Sequence, residues 1–516
     1  MILVYCKLWK EVNSKNLIDT NFIKSSIELM FQKNILKKRK CILKKISVLF
    51  FKRDIRTIDH LPLNYLIEKN ANILPIYILD PLIHHDEHYS ERHWNFVKES
   101  IHDLNLDLAK FNGEIYFFEM SYVDVFKKIK AHFQIEEIVS YQEIGLKNSW
   151  ECDKSLKKWC TNTNIQWIEL PYSGIIRGLN LRANWIKHWY NHLKKPLVDN
   201  DLDKAKFIKT DLLPNTKIKL YKNSNFQIGG QKNANLLLDK FLDNNGNYYN
   251  KNISKPYLSV DSCSRLSPYL SWGNLSIKYV INRLKTKWDE TRKNINFSCF
   301  YNRLRWRDHF IQKFESQPSI EFQNINSGYD NFPFRDDSSS EIDLENWANC
   351  KSGFLLVDAS MKSLKETGYV NFRMRAMVTS FVCHQLLISW QRASLILSKL
   401  FLDFEPGIHY SQLQMQASTT GINTVRIYSP LKQIIDNDAD GKFIKKWFPQ
   451  FNNIDDMVFG KLGGVLNEEQ IKKYDYYHPI VSFSESYKRA RDLFHRWKKN
   501  KNLRSNRDEI IKKLVK

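Results

Sequence analysis

Five short apolar runs between residues 46 and 170 constrain the fold more than any other feature of the sequence. They are ISVLFF (46–51), ILPIYIL (73–79), EIYFFEM (114–120), EEIVSY (136–141) and IQWIEL (165–170). The segments that separate them, such as residues 91–111, are long enough for crossover helices. Nearly continuous apolar strands that alternate with helices are typical of a parallel sheet covered on both faces. Residues 46–170 are therefore predicted to form an α/β parallel-sheet (Rossmann-like) domain.

Strand-like runs almost disappear in the second half of the chain. Residues 171–235 are rich in Asn, Lys, Pro and Gly, which predicts a connector. The segment 372–404 contains neither Gly nor Pro. Its large apolar residues fall close to helical spacing: Met377, Phe381, Leu386, Trp390, Leu397 and Phe401. We therefore predict an all-α domain over residues 236–516.

The chain is strongly basic. Its 516 residues include 79 Lys and Arg against 56 Asp and Glu, a formal net charge of +23. Such an excess favours a polyanionic partner, either nucleic acid or an anionic membrane surface. A general bias toward Lys, Asn and Ile explains it equally well, because the excess lysine is spread along the whole chain.

Residues 1–45 form a basic N-terminal extension with three open interpretations: a targeting segment, a basic arm or an over-long reading frame. The eight cysteines are scattered, without a CxxC pair or a Cys/His cluster, so we expect reduced thiols and no metal centre. No apolar run approaches the roughly 20 residues of a membrane span. We expect a cytoplasmic protein, with organellar targeting by residues 1–45 left open.

Five collinear segments of the second half share their order and spacing with one known family. They are SCSRLSPYLSWGNLS (262–276), RLRWRDHF (303–310), residues 347–377, LLISWQRA (386–393) and residues 427–449. Together they resemble the flavin-binding helical domain of the photolyase/cryptochrome family. FFKRDIRTIDHLPL (50–63) resembles that family's N-terminal signature. The resemblance is strongest to bacterial-type deoxyribodipyrimidine photolyases, covers almost everything except the basic extension, and implies FAD as the cofactor.

The resemblance assigns one set of residues to the phosphates of a folded FAD. A pyrophosphate is suited to a delocalised cation with several short donors around it. Taken alone, the segment around Arg265 is equally consistent with a serine-rich helix cap. The residues implied are Tyr249, Cys263, Ser264, Arg265, Leu266, Ser267 and Arg307.

A second set is implied at the flavin ring. Arg375 and Asp403 match a family Arg–Asp pair that lies against the isoalloxazine and stabilises an anionic reduced flavin. Both fall among apolar helical residues, where an unpaired charge is costly. Glu405 matches a second acid that bonds the flavin. His409 stands where the family usually has an Asn facing N5; a surface histidine is the alternative.

The family's usual relay of three tryptophans is broken in this sequence. Trp390 matches the middle member, but Leu413 and Asp337 stand at the inner and outer positions. Photoreduction by the usual route is therefore in doubt. The aromatic residues left for a detour are Tyr410, Tyr428, Trp306 and Trp447.

The substrate pocket implied by the resemblance also departs from the family. Trp306 matches an aromatic residue that stacks on a flipped pyrimidine dimer. Arg303 replaces the pocket Glu of cyclobutane-dimer enzymes, Phe372 replaces a pocket Asn, and Met415 replaces a second Trp. The charge has changed sign, so a dimer must be bonded differently. The candidates for this are Gln412, Gln414 and Gln416.

We therefore expect a deoxyribodipyrimidine photolyase, a monomeric lyase that splits cyclobutane dimers in damaged DNA by electron transfer from excited reduced FAD. Trp306, Trp390, Arg375, Asp403 and His409 are its expected catalytic residues. The alternatives are a cryptochrome-like photoreceptor, a photolyase for (6-4) lesions, and a basic nucleic-acid-binding protein without flavin. A pterin or flavin-like antenna chromophore is expected, if at all, beside residues 141–160 of the first domain.

Overall fold

The α/β part of the chain begins with a strand at Lys45. The structure, a computed structural model, describes residues 43–221, 225–291, 294–455, 459 and 464–515, so most of the basic extension lies outside the described residues. The strands are β1 (Lys45–Phe51), β2 (Asn72–Ile78), β3 (Tyr116–Phe118), β4 (Gln134–Tyr141), β5 (Gln166–Leu170) and β6 (Lys206–Phe207). The helices are α1 (Leu61–Glu68), α2 (Pro81–His84), α3 (Glu91–Leu108), α4 (Tyr122–His132), α5 (Lys147–Thr163) and α6 (Trp185–Lys194).

All strand pairs of the sheet are parallel, as predicted. The order is β3-β2-β1-β4-β5, and β6 pairs with the first residues of β2. The five predicted strands overlap β1–β5, and the central residues of β1, β2 and β3 are buried on both faces, whereas β5 at the edge is half-buried. The strand order reverses between β1 and β4, which is where a sheet of this kind leaves a crevice at the carboxyl ends of its strands.

The second part of the chain is helical, which confirms the predicted fold class. Its helices are α7 (Gln231–Asp243), α8 (Tyr249–Asn252), α9 (Ser259–Ser262), α10 (Ser267–Ser271), α11 (Ile277–Thr291), α12 (Ile295–Ser316), α13 (Ser338–Ala348), α14 (Leu355–Thr367), α15 (Phe372–Ser380), α16 (Trp390–Leu400), α17 (Pro406–Gln416), α18 (Pro430–Asn437), α19 (Lys442–Trp447), α20 (Glu468–Tyr474), α21 (Phe483–Trp497) and α22 (Lys501–Leu514). In the described part of the chain, no helix combines the length and the apolar character that crossing a bilayer requires.

Most apolar residues of the segment 372–404 are buried as predicted, but the segment is not one continuous helix. After α15 the chain makes a π-helical turn over Phe381–Gln385, and Leu387 then adopts a left-handed conformation with φ of 56°. A new helix, α16, starts at Trp390 with Ser389 as its N-cap residue. The absence of Gly and Pro did not reveal this break, because a left-handed leucine is strained and is held here by its surroundings.

The connector contains two elements that its composition did not predict, α6 and β6. Two tryptophans of α6 are buried and attach it to neighbouring segments. Trp185 donates to the carbonyl of Gly174 at 3.1 Å, and Trp189 donates to Asp308 Oδ2 on α12 at 2.9 Å. The connector therefore packs against the helical domain through indole rings that also satisfy their own N–H groups.

The residues that follow β1 join the two domains. Arg53 Nε donates to the carbonyl of Ser271 at 2.9 Å, and Arg56 Nη1 donates to the carbonyl of Gly273 at 3.0 Å. Lys278 Nζ lies 2.8 Å from Asp59 Oδ1 in a buried ion pair. The carboxyl end of β1, at the switch point of the sheet, is thus occupied by contacts to residues 271–278 of the helical domain.

Gly273 gives a test of this close approach. Its φ is 73°, and a Cβ at this position would collide with the backbone carbonyl of Arg53. Gly178 has nearly the same φ, 72°, but has no atom within 4 Å of an added Cβ. Gly178→Ala is therefore expected to lower the free energy of unfolding by roughly 1–2 kcal/mol, because an alanine is strained in the left-handed conformation. Gly273→Ala is expected to lower the free energy of unfolding by roughly 1–3 kcal/mol more than Gly178→Ala does, because the packed backbone around Arg53 must also move.

The measurement is the free energy of unfolding of both variants in urea. Equal losses for Gly178→Ala and Gly273→Ala would show that the two domains do not meet closely at Gly273.

Candidate active site

A cavity of about 310 Å³ lies in the helical domain, between residues 249–271, α12, α15 and the segment 401–416. Every residue predicted to bind the cofactor lines this cavity. The predicted substrate residues Arg303, Trp306 and Phe372 line it as well, whereas Met415 and Trp390 do not. The fold therefore brings together residues that are spread over more than 150 positions of the sequence, most of them in loops and helix ends.

Arg375 and Asp403 form an ion pair in the cavity wall. The side chain of Asn371 caps α15 by accepting from the amide of Met374, which starts the helix so that Arg375 lies in its first turn. Arg375 Nη2 donates to Asp403 Oδ2 at 2.9 Å, and its Nε donates to the carbonyl of Val370 at 2.9 Å. Burial acts to raise the pKa of Asp403, but the Arg375 charge and hydrogen bond lower it further, so this carboxylate is ionised.

Several buried polar atoms around the cavity have no hydrogen-bond partner in the described part of the chain. They are Arg265 Nε, Asp403 Oδ1, Glu405 Oε1 and Gln412 Oε1. Unsatisfied buried groups are costly, and a cluster of them around one cavity indicates a polar ligand. The lining contains four arginines and two carboxylates, an excess of two positive charges that matches a diphosphate. The residues present therefore fit FAD.

The segment around Arg265 has an unusual backbone. Arg265 has φ of 55°, a left-handed conformation that is rare for a residue with a long side chain. Gln227 supports it on both sides by donating to the carbonyl of Arg265 at 2.9 Å and accepting from its Nη2 at 3.0 Å. The guanidinium also lies over the ring of Tyr369, with Cζ 3.6 Å from the ring centre. These contacts hold a strained residue in the cavity wall, as is common where a ligand binds.

Glu405 sits between two arginines from different domains. Its Oε2 lies 3.2 Å from Arg53 Nη2 and 3.7 Å from Arg307 Nη2. Arg307 is further fixed by Asp308 at 3.0 Å and by donation to the carbonyl of Leu270 at 2.7 Å. Arg53 belongs to the N-terminal motif at residues 50–63 but was not predicted to take part in the site. Nothing in the sequence shows that its side chain crosses to the other domain.

His409 lines the cavity as a buried, neutral residue. Its Nε2 lies 3.1 Å from the carbonyl of Ser394, which only accepts, so Nε2 carries the hydrogen and Nδ1 is an acceptor. Burial, reinforced by nearby His88 and Arg375, lowers the pKa of His409 to about 3. A surface histidine is therefore excluded, and proton storage on this ring is unfavourable near neutral pH.

The mouth of the cavity is formed by two exposed aromatic rings and a cation. Trp306 is 45% exposed and Phe372 is 38% exposed, which is unusual for such large apolar side chains. The exposed Arg303 lies over Phe372, with Cζ 5.5 Å from the ring centre. Flat apolar surfaces beside a guanidinium are suited to an aromatic, polar-edged ligand.

The three candidate glutamines differ in position. Gln412 and Gln416 line the cavity. Gln414 does not: its Oε1 accepts from the amide of Ile325 at 2.6 Å, and its Nε2 donates to the carbonyl of Gln323 at 3.0 Å. Gln414 therefore anchors the loop that follows α12 and is not available to a ligand.

The residues at the three positions of the family's tryptophan relay lie in different surroundings. Leu413 lines the cavity. Trp390 is fully buried, and its indole N–H donates to Asn324 Oδ1 at 2.8 Å. Asp337 caps α13 by accepting from the amide of Ser340. Among the described residues, Trp390 is in contact with the aromatic ring of Tyr410, at a centroid distance of 5.9 Å.

The region expected for an antenna chromophore is filled by side chains. The buried Lys52 Nζ lies 2.5 Å from Asp153 Oδ1 and 3.7 Å from Glu143 Oε2. Burial lowers the pKa of Lys52, but the two carboxylates raise it more, so the ammonium is charged. The cavity beside Glu143 and Ser149 is about 30 Å³, which holds only a few water molecules. A pterin or flavin would require these side chains to separate.

The role of the ion pair is tested by Arg375→Met. This variant leaves Asp403 buried without its partner and removes one of the four cavity arginines, so FAD retention is expected to weaken by at least roughly tenfold. Arg373 provides the matched control, because it is half-buried on the same helix, contacts Tyr428 and does not line the cavity. The measurement is equilibrium titration of the apoprotein with FAD. Similar affinities for Arg375→Met and Arg373→Met would contradict the assignment.

His409 gives a prediction for pH dependence. Its pKa is about 3 in the folded protein, whereas the pKa of an ordinary histidine is 6.5, so between these two pH values the unfolded chain binds a proton that the folded protein excludes. This residue therefore reduces stability as the pH falls from 6.5 toward 3, by up to about 1.4 kcal/mol per pH unit. His409→Gln is expected to flatten the profile by that amount.

The profile is measured as the free energy of unfolding at several pH values, with exposed His102→Gln as the control. A profile for His409→Gln as steep as that of the wild type would show that His409 is accessible to protons in the folded protein.

Comparison with known proteins agrees with this geometry. A family model described as the FAD binding domain of DNA photolyase matches residues 300–496, and one described as DNA photolyase matches residues 47–176. The deoxyribodipyrimidine photo-lyase of Buchnera aphidicola is 23% identical over 87% of this chain and 96% of its own length. Cryptochrome DASH of Synechocystis is 23% identical over 86% of this chain and 97% of its own.

A solved structure shares the fold. The class III photolyase of Agrobacterium tumefaciens superposes with a TM-score of 0.75 at 20% identity, covering 89% of this chain and 98% of that protein. The two family models match the sheet domain and three helices of the cavity wall, α12, α15 and α17, but not residues 249–271. With its parallel sheet, its helical domain and a cavity that fits FAD, this chain belongs to the photolyase/cryptochrome family.

Proposed function

We propose that the protein repairs cyclobutane pyrimidine dimers in DNA in a light-dependent reaction. The observation that carries this proposal is the mouth of the cavity, where Trp306 and Phe372 are exposed beside Arg303 at the entrance to the FAD site. A dimer rotated out of a duplex presents flat rings with polar edges, and aromatic side chains hold such bases by stacking. Reduced FAD, when bound and excited by light, supplies the electron that splits the dimer.

The residues of the chain have distinct tasks in this proposal. Trp306 and Phe372 hold the rings of the dimer and exclude water from the mouth. Arg303 donates hydrogen bonds to the carbonyl oxygens of the bases, where a carboxylate would accept from their N–H groups. Gln412 and Gln416 line the cavity and can donate and accept along the same edge. Asp403 holds the Arg375 guanidinium in the cavity wall, where its positive charge would favour the anionic reduced form of the flavin.

The net charge of the chain supports DNA as the partner. Contacts to phosphates supply most of the affinity of such proteins, and those contacts weaken as salt is added. The exposed Arg303 lines the cavity and lies over the exposed ring of Phe372. A cation beside a concave aromatic site favours damaged DNA over a protein partner.

A photoreceptor without repair activity is the second candidate. Several relatives are named cryptochromes, and the mouth lacks the carboxylate expected for cyclobutane-dimer repair. Repair of (6-4) lesions is less well supported, because the histidine that lines the cavity, His409, is buried and neutral. An antenna chromophore remains a prediction for which the described residues leave no sufficient space.

The proposal is tested with FAD-loaded, chemically reduced protein, blue light, and oligonucleotides that carry either a cyclobutane dimer or a (6-4) lesion. The protein is expected to convert the cyclobutane dimer back to undamaged bases and to leave the (6-4) lesion unrepaired. Trp306→Ala is expected to weaken binding of the damaged strand by roughly 1–3 kcal/mol, because it removes the stacking surface. Phe322→Ala is the matched control, since this ring is 55% exposed and lies away from the cavity.

No repair of either lesion by reduced, FAD-loaded protein would overturn the proposal and favour the photoreceptor. Repair of the (6-4) lesion alone would correct the substrate.

A further inference from the structure

A buried chain of hydrogen bonds next to the cavity has no task in the proposed function. It connects Tyr410 on α17 with His88 and Asp86, which follow α2 in the sheet domain. Tyr410 Oη contacts His88 Nε2, and His88 Nδ1 lies 2.6 Å from Asp86 Oδ1. Asn148 Nδ2 donates to the second oxygen of Asp86 at 2.8 Å. All three members of the chain are buried.

The direction of these hydrogen bonds is fixed by their chemistry. A carboxylate only accepts, so His88 Nδ1 carries a hydrogen that it donates to Asp86. When the imidazole carries no second proton, its Nε2 is an acceptor and the phenol of Tyr410 donates to it. Burial, with smaller effects from Glu321, Asp86 and Glu87, raises the pKa of Tyr410, so the phenol keeps its proton at rest. The arrangement is a buried phenol, Tyr410, whose hydroxyl contacts a potential proton acceptor, His88.

Tyr410 lies one side-chain layer from the cavity. Its ring is in edge contact with His409, which lines the cavity, at a centroid distance of 5.4 Å. His88 stacks on Phe404, a second lining residue, at 5.8 Å and an interplanar angle of 7°. On its other side, Tyr410 contacts Trp390 at 5.9 Å. Tyr410 is therefore the ring that separates Trp390 from the cavity wall.

An oxidised flavin becomes a strong one-electron oxidant when it absorbs light. A phenol that loses an electron becomes a strong acid, so its oxidation is favourable only where a base accepts the proton at the same time. His88 is such a base, and Asp86 stabilises the imidazolium that results. The described residues thus provide both the electron donor and the proton acceptor.

We propose that Tyr410 is a one-electron donor to the photoexcited oxidised flavin, and that His88 accepts its phenolic proton. One electron passes from the phenol to the flavin, and one proton moves from Tyr410 Oη to His88 Nε2. The products on the protein are a neutral tyrosyl radical and an imidazolium paired with Asp86. A thiol in solution returns the electron, two such thiols forming one disulfide over two cycles, and His88 returns the proton. This inference rests on FAD binding and not on DNA repair.

The chain offers a matched control in Tyr89. Its ring contacts Phe404 at a centroid distance of 5.4 Å, so it is as close to the cavity wall as Tyr410. Its hydroxyl has no histidine or carboxylate partner among the hydrogen bonds of the described residues. Tyr89→Phe removes a phenol near the cavity, and Tyr410→Phe removes a phenol with a base. Both substitutions keep the ring and most of the packing.

The experiment is flash photolysis of the FAD-loaded, oxidised protein with detection by transient absorption and electron paramagnetic resonance, without DNA. The wild type is expected to form a neutral tyrosyl radical whose resonance narrows when the protein is made with ring-deuterated tyrosine, and to form it more slowly in D₂O. Tyr410→Phe is expected to lose this signal and to slow photoreduction in the presence of thiol by roughly tenfold or more, about 1.4 kcal/mol of barrier. Tyr89→Phe is expected to keep both.

His88→Gln keeps Tyr410 but removes the imidazole, so it is expected to lower the radical yield and abolish the isotope effect. A signal from a tryptophan radical, or wild-type photoreduction in Tyr410→Phe, would overturn the proposal. Should Tyr410→Phe fail to retain FAD, the effects of ring-deuterated tyrosine and D₂O on the wild type decide the question alone. The DNA repair proposal is unaffected by any of these results.

Discussion

The ion pair between Arg375 and Asp403 is the interaction on which the rest of the site depends. Its two members come from different elements, α15 and the turn before α17, so it fixes the width of the cavity between them. One Asp403 oxygen is bonded to Arg375 and the other is buried without a partner in the described part of the chain. A pair of this kind costs desolvation energy, which is recovered when a polar ligand completes its hydrogen bonds.

The sheet domain contributes to this site from a distance. The carboxyl end of β1 is the place where a doubly wound sheet usually receives a ligand. In this chain it instead provides Arg53, which reaches the helical domain and pairs with Glu405. The neighbouring crevice is occupied by Lys52 and its carboxylates. The same strand end therefore both joins the domains and leaves little room for a second chromophore. The segment after α2 makes a similar connection through His88 and Tyr410.

Much of the fold followed from hydrophobic patterning, because strands buried on both faces leave a strong signal. The short β6 did not, since two paired residues carry no periodicity. The cavity-lining residues were found from motifs whose spacing is preserved, including Arg265, Arg375 and Asp403. Side-chain directions were not predictable in the same way. Gln412 and Gln414 are two positions apart, yet only Gln412 faces the cavity, because α17 turns Gln414 toward the loop that it anchors.

The state of His409 shows a further limit of sequence reasoning. The sequence left His409 either facing the flavin or on the surface, but burial against Phe404 and donation to Ser394 make the ring neutral. Protonation depends on the surrounding dielectric and charges, which only the folded chain defines. The same applies to Tyr410, an ordinary aromatic residue in the sequence that acquires a base from a segment 322 positions away.

The measurement that tests the account most directly is a crystal structure of the protein loaded with FAD. The account predicts one FAD in the cavity, with its ring beside Arg375 and Asp403 and its phosphates beside Arg265 and Ser267. A flavin bound elsewhere, or a cavity closed by side chains with the ion pair turned away from it, would contradict the account.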